Sequence, residues 1–366
     1  MDVFTKDRGG AMRHSRHGFL VFLLLLGYTA TSLAAQSGTF DEKAVANFYR
    51  NKTLRIIVGF TAGGGYDQYS RLIGRHLSKH IPGNPNVIVD NMAGAGSIIA
   101  ANHVYHAAPK DGTVVGNISG PIILEQLFAN PAIQFDMAKF RYLAVPVSET
   151  YVFVVTRKPG VSKFEEILGP NGKQITVGGI PGSTVEHAPV IARDVMGANL
   201  KVVLGYKGTA DVRMAIESGE VEGLFNSYTS LKITSFEKMK SGEWLVLAQL
   251  SEKPIKDLIV PNVPTITQIA KSNEHRQLLK FGTSTPNDFG KVYVVPPGTP
   301  PDRAMALEKA FEKVFADKEL QVDANKGKLE IDPMFGEDIH KLVVEFLGMS
   351  SDLKNKLQAA LKGGKK

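Results

Sequence analysis

The chain has 366 residues, with 43 lysine and arginine against 36 aspartate and glutamate, a formal charge of +7 and no cysteine. The missing cysteine excludes a disulfide framework, thiolate catalysis, thiolate metal sites and a lipid anchor on cysteine. Basic residues are dispersed, without a run carrying interleaved aromatics, so no nucleic-acid face is expected; the length leaves room for two domains.

Four basic residues, Lys6, Arg8, Arg13 and Arg16, precede an unbroken apolar run from Phe19 to Leu26, and small residues follow up to Ala34 and Ala35. This order predicts a secretory signal peptide over 1–35, cut after Ala34 or Ala35, with Met12 as an alternative start. The run falls short of the ~20 apolar residues of a comfortable span, which leaves an uncleaved anchor as the bland alternative. The leader carries four basic and two acidic residues, so the expected mature charge is +5. Secretion without cysteine points to a bacterial periplasmic protein whose core needs no covalent staples.

After Gln36 a short helix-capable segment ends near Tyr49. Leu54 to Val58 reads as a buried strand. Gly63, Gly64 and Gly65 then make a turn that lets backbone approach a ligand, and an amphipathic helix follows over 66–80, with Tyr66, Tyr69, Ile73 and Leu77 on one face. A strand, a glycine turn and a helix N-terminus together present free N–H groups and the positive end of a dipole, which seats an anion. Tight strand–helix packing alone is the competing reading. The alternation continues with a strand over 86–89, Gly94-Ala95-Gly96, a helix over 98–107, a strand over 113–118 and a helix over 122–128. A second set has strands over 152–156, 175–178, 202–204 and 223–225, with helices over 161–168, 184–196 and 211–218 between them. A strand over 244–249 returns the chain through a proline-punctuated crossing, 254–264. A strand over 292–295 and helices over 301–316, 337–345 and 351–361 close the chain. The expectation is an α/β protein of two lobes, each a mainly parallel sheet flanked by helices. Lobe 1 is placed at 36–148 and 251–366 and lobe 2 at 149–250, with hinges near 145–151 and 250–254.

A second glycine cluster, Gly178 to His187, repeats the logic in the other lobe: Ser183 or Thr184 sits where a helix begins, to cap it or to meet an anion. Gly205-Tyr206-Lys207-Gly208 and Phe225-Asn226-Ser227-Tyr228 place polar groups at two further strand ends. Nucleotide motifs fail. Gln68 stands where a dinucleotide fingerprint starting at Gly63 needs its third glycine, and Gly169 to Gln174 lacks the spacing and hydroxyl of a P-loop. Ser119 lies outside the spacing of a nucleophile elbow. His76 with His80, and His103 with His106, have chelating spacings but no acidic residue beside them in sequence, so surface histidines are the simpler reading.

Gly59-Phe60-Thr-Ala-Gly63-Gly64-Gly-Tyr-Asp67-Gln-Tyr-Ser-Arg71 resembles the opening of the tripartite tricarboxylate transporter solute receptors, the TctC or Bug family. Asp90-Asn91-Met-Ala-Gly94-Ala95-Gly96, Ala108-Pro109-Lys-Asp111-Gly112, Gly205-Tyr206-Lys207-Gly208, Val263-Pro264-Thr265 and Pro297-Gly298-Thr299-Pro300 continue the likeness in order. The resemblance implies a periplasmic venus-flytrap receptor that passes a small carboxylate to membrane transporter subunits, as a monomer, without cofactor, metal or catalysis. By position it nominates Ala62, Gly63, Gly64, Gly65 and Asp67 of the first turn, Ser119, the Gly182-Ser183-Thr184 turn, Tyr206 and Asn226 as ligand-binding residues. Ala62 replaces the usual proline. Tyr66 stands where small or hydroxylic residues are common, so it is expected to narrow the cleft or stack on the ligand. Two other classes stay open: a secreted hydrolase of a carboxylate ester using Ser183 and His187, and metal capture by the histidine pairs.

Overall fold

The computed structural model describes residues 40–362, so the expected targeting segment lies outside the described residues. Among the described residues no helix is long and apolar enough to cross a membrane.

Among the described residues eleven strands form two sheets. The first contains β1 (Thr53–Val58), β2 (Asn86–Asn91), β3 (Val114–Ser119), β4 (Arg141–Val145), β10 (Lys291–Val295) and β11 (Met334–Phe335), in the order β11-β4-β10-β3-β1-β2. The second contains β5 (Tyr151–Thr156), β6 (Ile175–Gly179), β7 (Leu200–Leu204), β8 (Gly223–Ser227) and β9 (Trp244–Leu250), in the order β7-β6-β8-β5-β9. The chain thus builds four strands of one sheet, makes the whole of the other, and returns. The protein is a two-lobed α/β molecule, as its strand–helix alternation implies.

The sheets are mixed, which refines the mainly parallel expectation. Parallel pairing links β2-β1-β3 and β7-β6-β8, where helices carry the chain back over the sheet. The strands next to the crossings, β10 and β5, pair antiparallel on both sides. They enter from the other sheet, so no helical crossover forces them parallel. Their direction has a consequence for the site. The carboxyl ends of β3 and β8 lie beside the starts of β10 and β5, with Ser119 opposite Lys291 and Ser227 opposite Tyr151.

Burial explains the strands. All of β3, β5 but its last residue, β8 and β10 are buried, as befits inner strands covered on both faces. Gly116 in β3 admits a close helix: a Cβ there would come within 2.9 Å of Val104. In the second sheet Phe153 and Phe225, opposite one another, stack at 4.3 Å between ring centroids. The helix expected over 161–168 is a single 3-10 turn, Phe164–Ile167, because Gly169-Pro170 ends the segment before a second turn can form. Beyond β9 the segment holding Asn273–Leu279 packs on the helix Thr184–Asp194, and so does the last helix, Ser351–Lys362.

The loops at the strand ends touch across the junction of the two sheets. Gly96, in the left-handed region at φ +61, comes so close to the loop after β6 that a Cβ would lie 2.4 Å from Pro181 O and 2.7 Å from Gly182 C. Both neighbours are backbone, so neither can rotate away. Gly96→Ala is therefore expected to hold the lobes apart: small-angle scattering should show a larger radius of gyration, with an unchanged far-ultraviolet circular dichroism spectrum. An unchanged radius would mean the contact does not set the lobe separation.

Candidate functional site

The site lies where strand ends of both sheets converge, the usual place for ligands in α/β sheets. It is a narrow cavity of about 20 Å3, room for roughly one water. Its apolar wall is Phe60, Tyr151, Ile180 and Val185. Its polar wall is Gly64, Gly65, Ser119, Ser183 and Thr209, with Asn226, Ser227 and Ser230 from the second sheet. Tyr66, Glu149 and Lys291 complete it.

Four helices start at this cavity, and they start in two different ways. Thr184–Asp194 and Tyr228–Thr234 have serine N-caps: Ser183 Oγ accepts from Val185 N and Ser227 Oγ from Ser230 N. Gly65–Leu77 and Thr209–Ser218 begin on Gly64 and Gly208, with no side-chain cap. Apart from Asp211 N, which donates to Gly208 O at 3.2 Å, their first-turn N–H groups can serve an anion, and each helix end carries about half a positive charge. The two uncapped ends meet across the junction: Arg213 Nη2 donates to Gly63 O at 3.0 Å, and Thr61 Oγ1 to Asp211 at 3.5 Å. Burial pushes the pKa of Arg213 down.

The first glycine turn is held by Asp67. Its carboxylate accepts from Gly63 N at 2.9 Å, Arg71 Nε at 3.0 Å and Asn91 Nδ2 at 3.1 Å. Burial opposes ionisation, but the bonds from Arg71, Gly63 and Asn91 outweigh it and hold the carboxyl below its ordinary range. Tyr66 lines the cavity beside Phe60, ring centroids 4.3 Å apart, and its hydroxyl donates to Gly290 O at 2.8 Å. Burial, and then the nearby Glu149, push its pKa up, so it stays a neutral donor.

Two charged groups sit inside. Lys291 and Glu149 are ion-paired with side chains 1% and 2% exposed, and Thr229 Oγ1 also donates to Glu149. The Lys291 ammonium lies 5.4 Å from the centre of the Tyr66 ring and 5.1 Å from that of Tyr69. Burial pushes its pKa down, against which the Glu149 charge and hydrogen bond act. Asn226 Nδ2 and Ser230 Oγ are buried without a protein partner, so they are donors in reserve for a ligand.

Six of the residues nominated from sequence meet here: Gly64, Gly65, Tyr66, Ser119, Ser183 and Asn226. The other six do not line the cavity. Ala62 is exposed. Gly63 and Asp67 are bonded to each other behind the turn. Gly182 N donates to Glu186 and Thr184 Oγ1 to Asn287. Tyr206 turns outward to Glu220 at 2.6 Å. Lys291, Glu149, Tyr151 and Ser230 line the cavity without being nominated from sequence. Their signal is the antiparallel register and the helix starts, which a linear reading does not carry.

The alternative constellations take other partners. Ser183 Oγ donates to Ile180 O at 2.8 Å, and His187 Nε2 meets Glu125 at 3.3 Å, so no serine–histidine bond forms between them. His76 and His80 do have acids beside them, supplied from 317–323 rather than from their own helix: Asp323 at 3.0 Å and Asp317 at 2.9 Å. His76, Asp317 and Glu319 lie within reach of a common ion, but the Lys79 ammonium, 2.6 Å from Asp317, already supplies a cation there. Hydrogen bonds from Lys79 and then His80 hold the Asp317 carboxyl well below its usual range.

Residues 70–357 match the family described as tripartite tricarboxylate transporter family receptor. The chain belongs to that family. A relative from Cupriavidus necator, described as a UPF0065 protein in the gbd 5' region, is 25% identical over 80% of this chain and 84% of its own. Among solved structures the fold is like that of the periplasmic binding protein BugD, with a TM-score of 0.66 at 18% identity, over 85% of this chain and 98% of that one. It is also like that of an R. palustris protein solved with adipate, with a TM-score of 0.65 at 19% identity, over 85% and 97%.

Asp67 gives the receptor's first turn a pH dependence of definite sign. A carboxyl whose folded pKa is depressed stabilises the fold above its unfolded value, 3.8, and that contribution is lost as pH falls through the folded value. Asp67→Asn should lower the melting midpoint by a few degrees at pH 7, with the difference shrinking as pH falls below the ordinary carboxylate range. Parallel curves from pH 7 to pH 2 would show that the carboxylate charge is not what holds the turn.

Proposed function

We propose that this receptor captures a small carboxylate in the cavity between its lobes, in the periplasm, and hands it as a monomer to the membrane subunits of a tripartite transporter. The observation that carries the reading is the pair of glycine-started, uncapped helix N-termini facing one another beside the buried ammonium of Lys291. Such a seat favours an anion, since backbone N–H groups and dipoles point at the ligand and need no reorganisation. Gly64, Gly65, Tyr66, Ser119, Ser183 and Asn226 are proposed as contacts, joined by Lys291 and Ser230. The solved neighbour holding adipate supports the ligand class.

Charge-assisted hydrogen bonds contribute about 1.5–3 kcal/mol each. Three to five of them reach the ~8 kcal/mol of micromolar capture. A cavity of about 20 Å3 cannot admit such a molecule without movement, so entry requires the lobes to part. We place the crossings at 146–150 and at 285–290, and count the packed segments 266–284 and 351–362 with the second lobe. The receptor has no catalytic step in this account. Secretion through the leader over 1–35 completes it.

A melting screen of the purified protein against mono-, di- and tricarboxylates tests the ligand class: at least one carboxylate should raise the midpoint by several degrees. Stabilisation by neutral solutes alone would contradict the anion seat. Gly65→Ala probes the place. A Cβ at Gly65 would lie 2.9 Å from Ser230 Oγ and 3.2 Å from Lys291 Cε. The variant should fold and lose at least tenfold in affinity for whichever carboxylate the screen finds; undiminished affinity would move the site elsewhere.

A further inference from the structure

The cavity holds a carboxylate of its own. Glu149 lies inside the ring of residues that would surround a ligand, paired with Lys291, which is the one cation in that lining. The charged side chains of the lining therefore sum to zero. What remains to attract a ligand is the set of helix ends and neutral donors, grouped on one side around Gly64, Gly65 and Thr209. The opposite wall is apolar: Phe60, Tyr151, Ile180 and Val185.

We propose that Glu149 occupies the place a second ligand carboxylate would take, so that the receptor selects monocarboxylates with an apolar body over dicarboxylates. The proposal rests on the carboxylate-receptor reading above and names its ligand class. Both contacts to Glu149, from Lys291 and from Thr229, reach Oε1, and Oε2 takes part in neither. A second anion brought into the same buried space would meet this fixed charge at close range, where low dielectric magnifies repulsion. It would also lose its hydration against the apolar wall. The pair cannot swing aside readily. Glu149 follows β4 on one crossing, with its N–H bonded to Asn287 O at 3.0 Å, and Lys291 opens β10 directly after the other, opposite Ser119 in the sheet. A ligand monocarboxylate has only one charge to place: it goes to the helix ends, and its body to the aromatic and aliphatic wall.

Calorimetric titration of the purified protein with chain-matched acids decides this. Hexanoate differs from adipate, and benzoate from terephthalate, only by the far carboxylate. The wild type should bind hexanoate and benzoate at least tenfold more tightly than their partners. Glu149→Gln, which keeps the shape and removes the charge, should reverse the preference by freeing Lys291 to pair with the far carboxylate. Equal or tighter binding of adipate and terephthalate by the wild type overturns the inference while leaving the carboxylate reading intact. Failure of hexanoate and benzoate to bind also overturns the inference, and only failure of every carboxylate in the melting screen overturns the carboxylate reading with it. If the variant does not fold, the wild-type ratios still decide.

Discussion

The buried pair of Glu149 and Lys291 is the constraint on which the geometry of the site depends. Glu149 lies between β4 and β5 and Lys291 opens β10, where the chain has returned to the first sheet, and neither side chain is more than 2% exposed. Taking two charges out of water is costly, and such a pair repays that cost only with good geometry and further hydrogen bonds. Thr229 supplies one of them. Removing either partner alone strands the other in a space that cannot solvate it, at a cost of about 3–5 kcal/mol. The pair therefore ties the crossings together at the cavity while setting its charge to zero.

Around that neutral floor, the helix starts divide the labour. Serine caps at Ser183 and Ser227 fix two helices firmly. Glycines at 64 and 208 forgo side-chain caps that would contribute roughly a few tenths of a kcal/mol each. The same glycines permit approach: a Cβ at Gly208 would collide with Thr61 Oγ1. Stability given up at these two positions leaves helix ends without side-chain caps beside the cavity, the kind of local inconsistency expected at functional sites. Asp67 shows the complementary device, an anion spent on rigidity and turned away from the cavity.

Much of this was legible from local pattern. An apolar β-branched run before three glycines and an amphipathic helix has one economical reading, and β1, its turn and the helix Gly65–Leu77 follow it. The same holds at β6 and Ser183. What escaped depends on pairing between distant segments. Strand β4, Arg141–Val145, lacks a glycine turn to announce it. Lys291 reads as an ordinary residue before an apolar strand; only the antiparallel register beside β3 turns it inward. Glu149 looked like a hinge residue for the same reason. Tyr206 went the other way: the strand end was real, but the chain leaves Gly205 at φ +122 and directs the ring to Glu220. Backbone positions at a strand end are thus easier to foresee than the direction of the side chains they carry.

The central claim is one of placement, that a ligand carboxylate sits on the glycine-started helix ends next to Lys291. A crystal structure of the protein with a stabilising carboxylate tests it most directly. Carboxylate oxygens should lie within hydrogen-bonding distance of the backbone N–H groups at Gly64 to Tyr66, with the rest of the molecule against Phe60, Tyr151, Ile180 and Val185. A ligand bound outside this cavity, or one whose carboxylate points away from those helix ends, would contradict it.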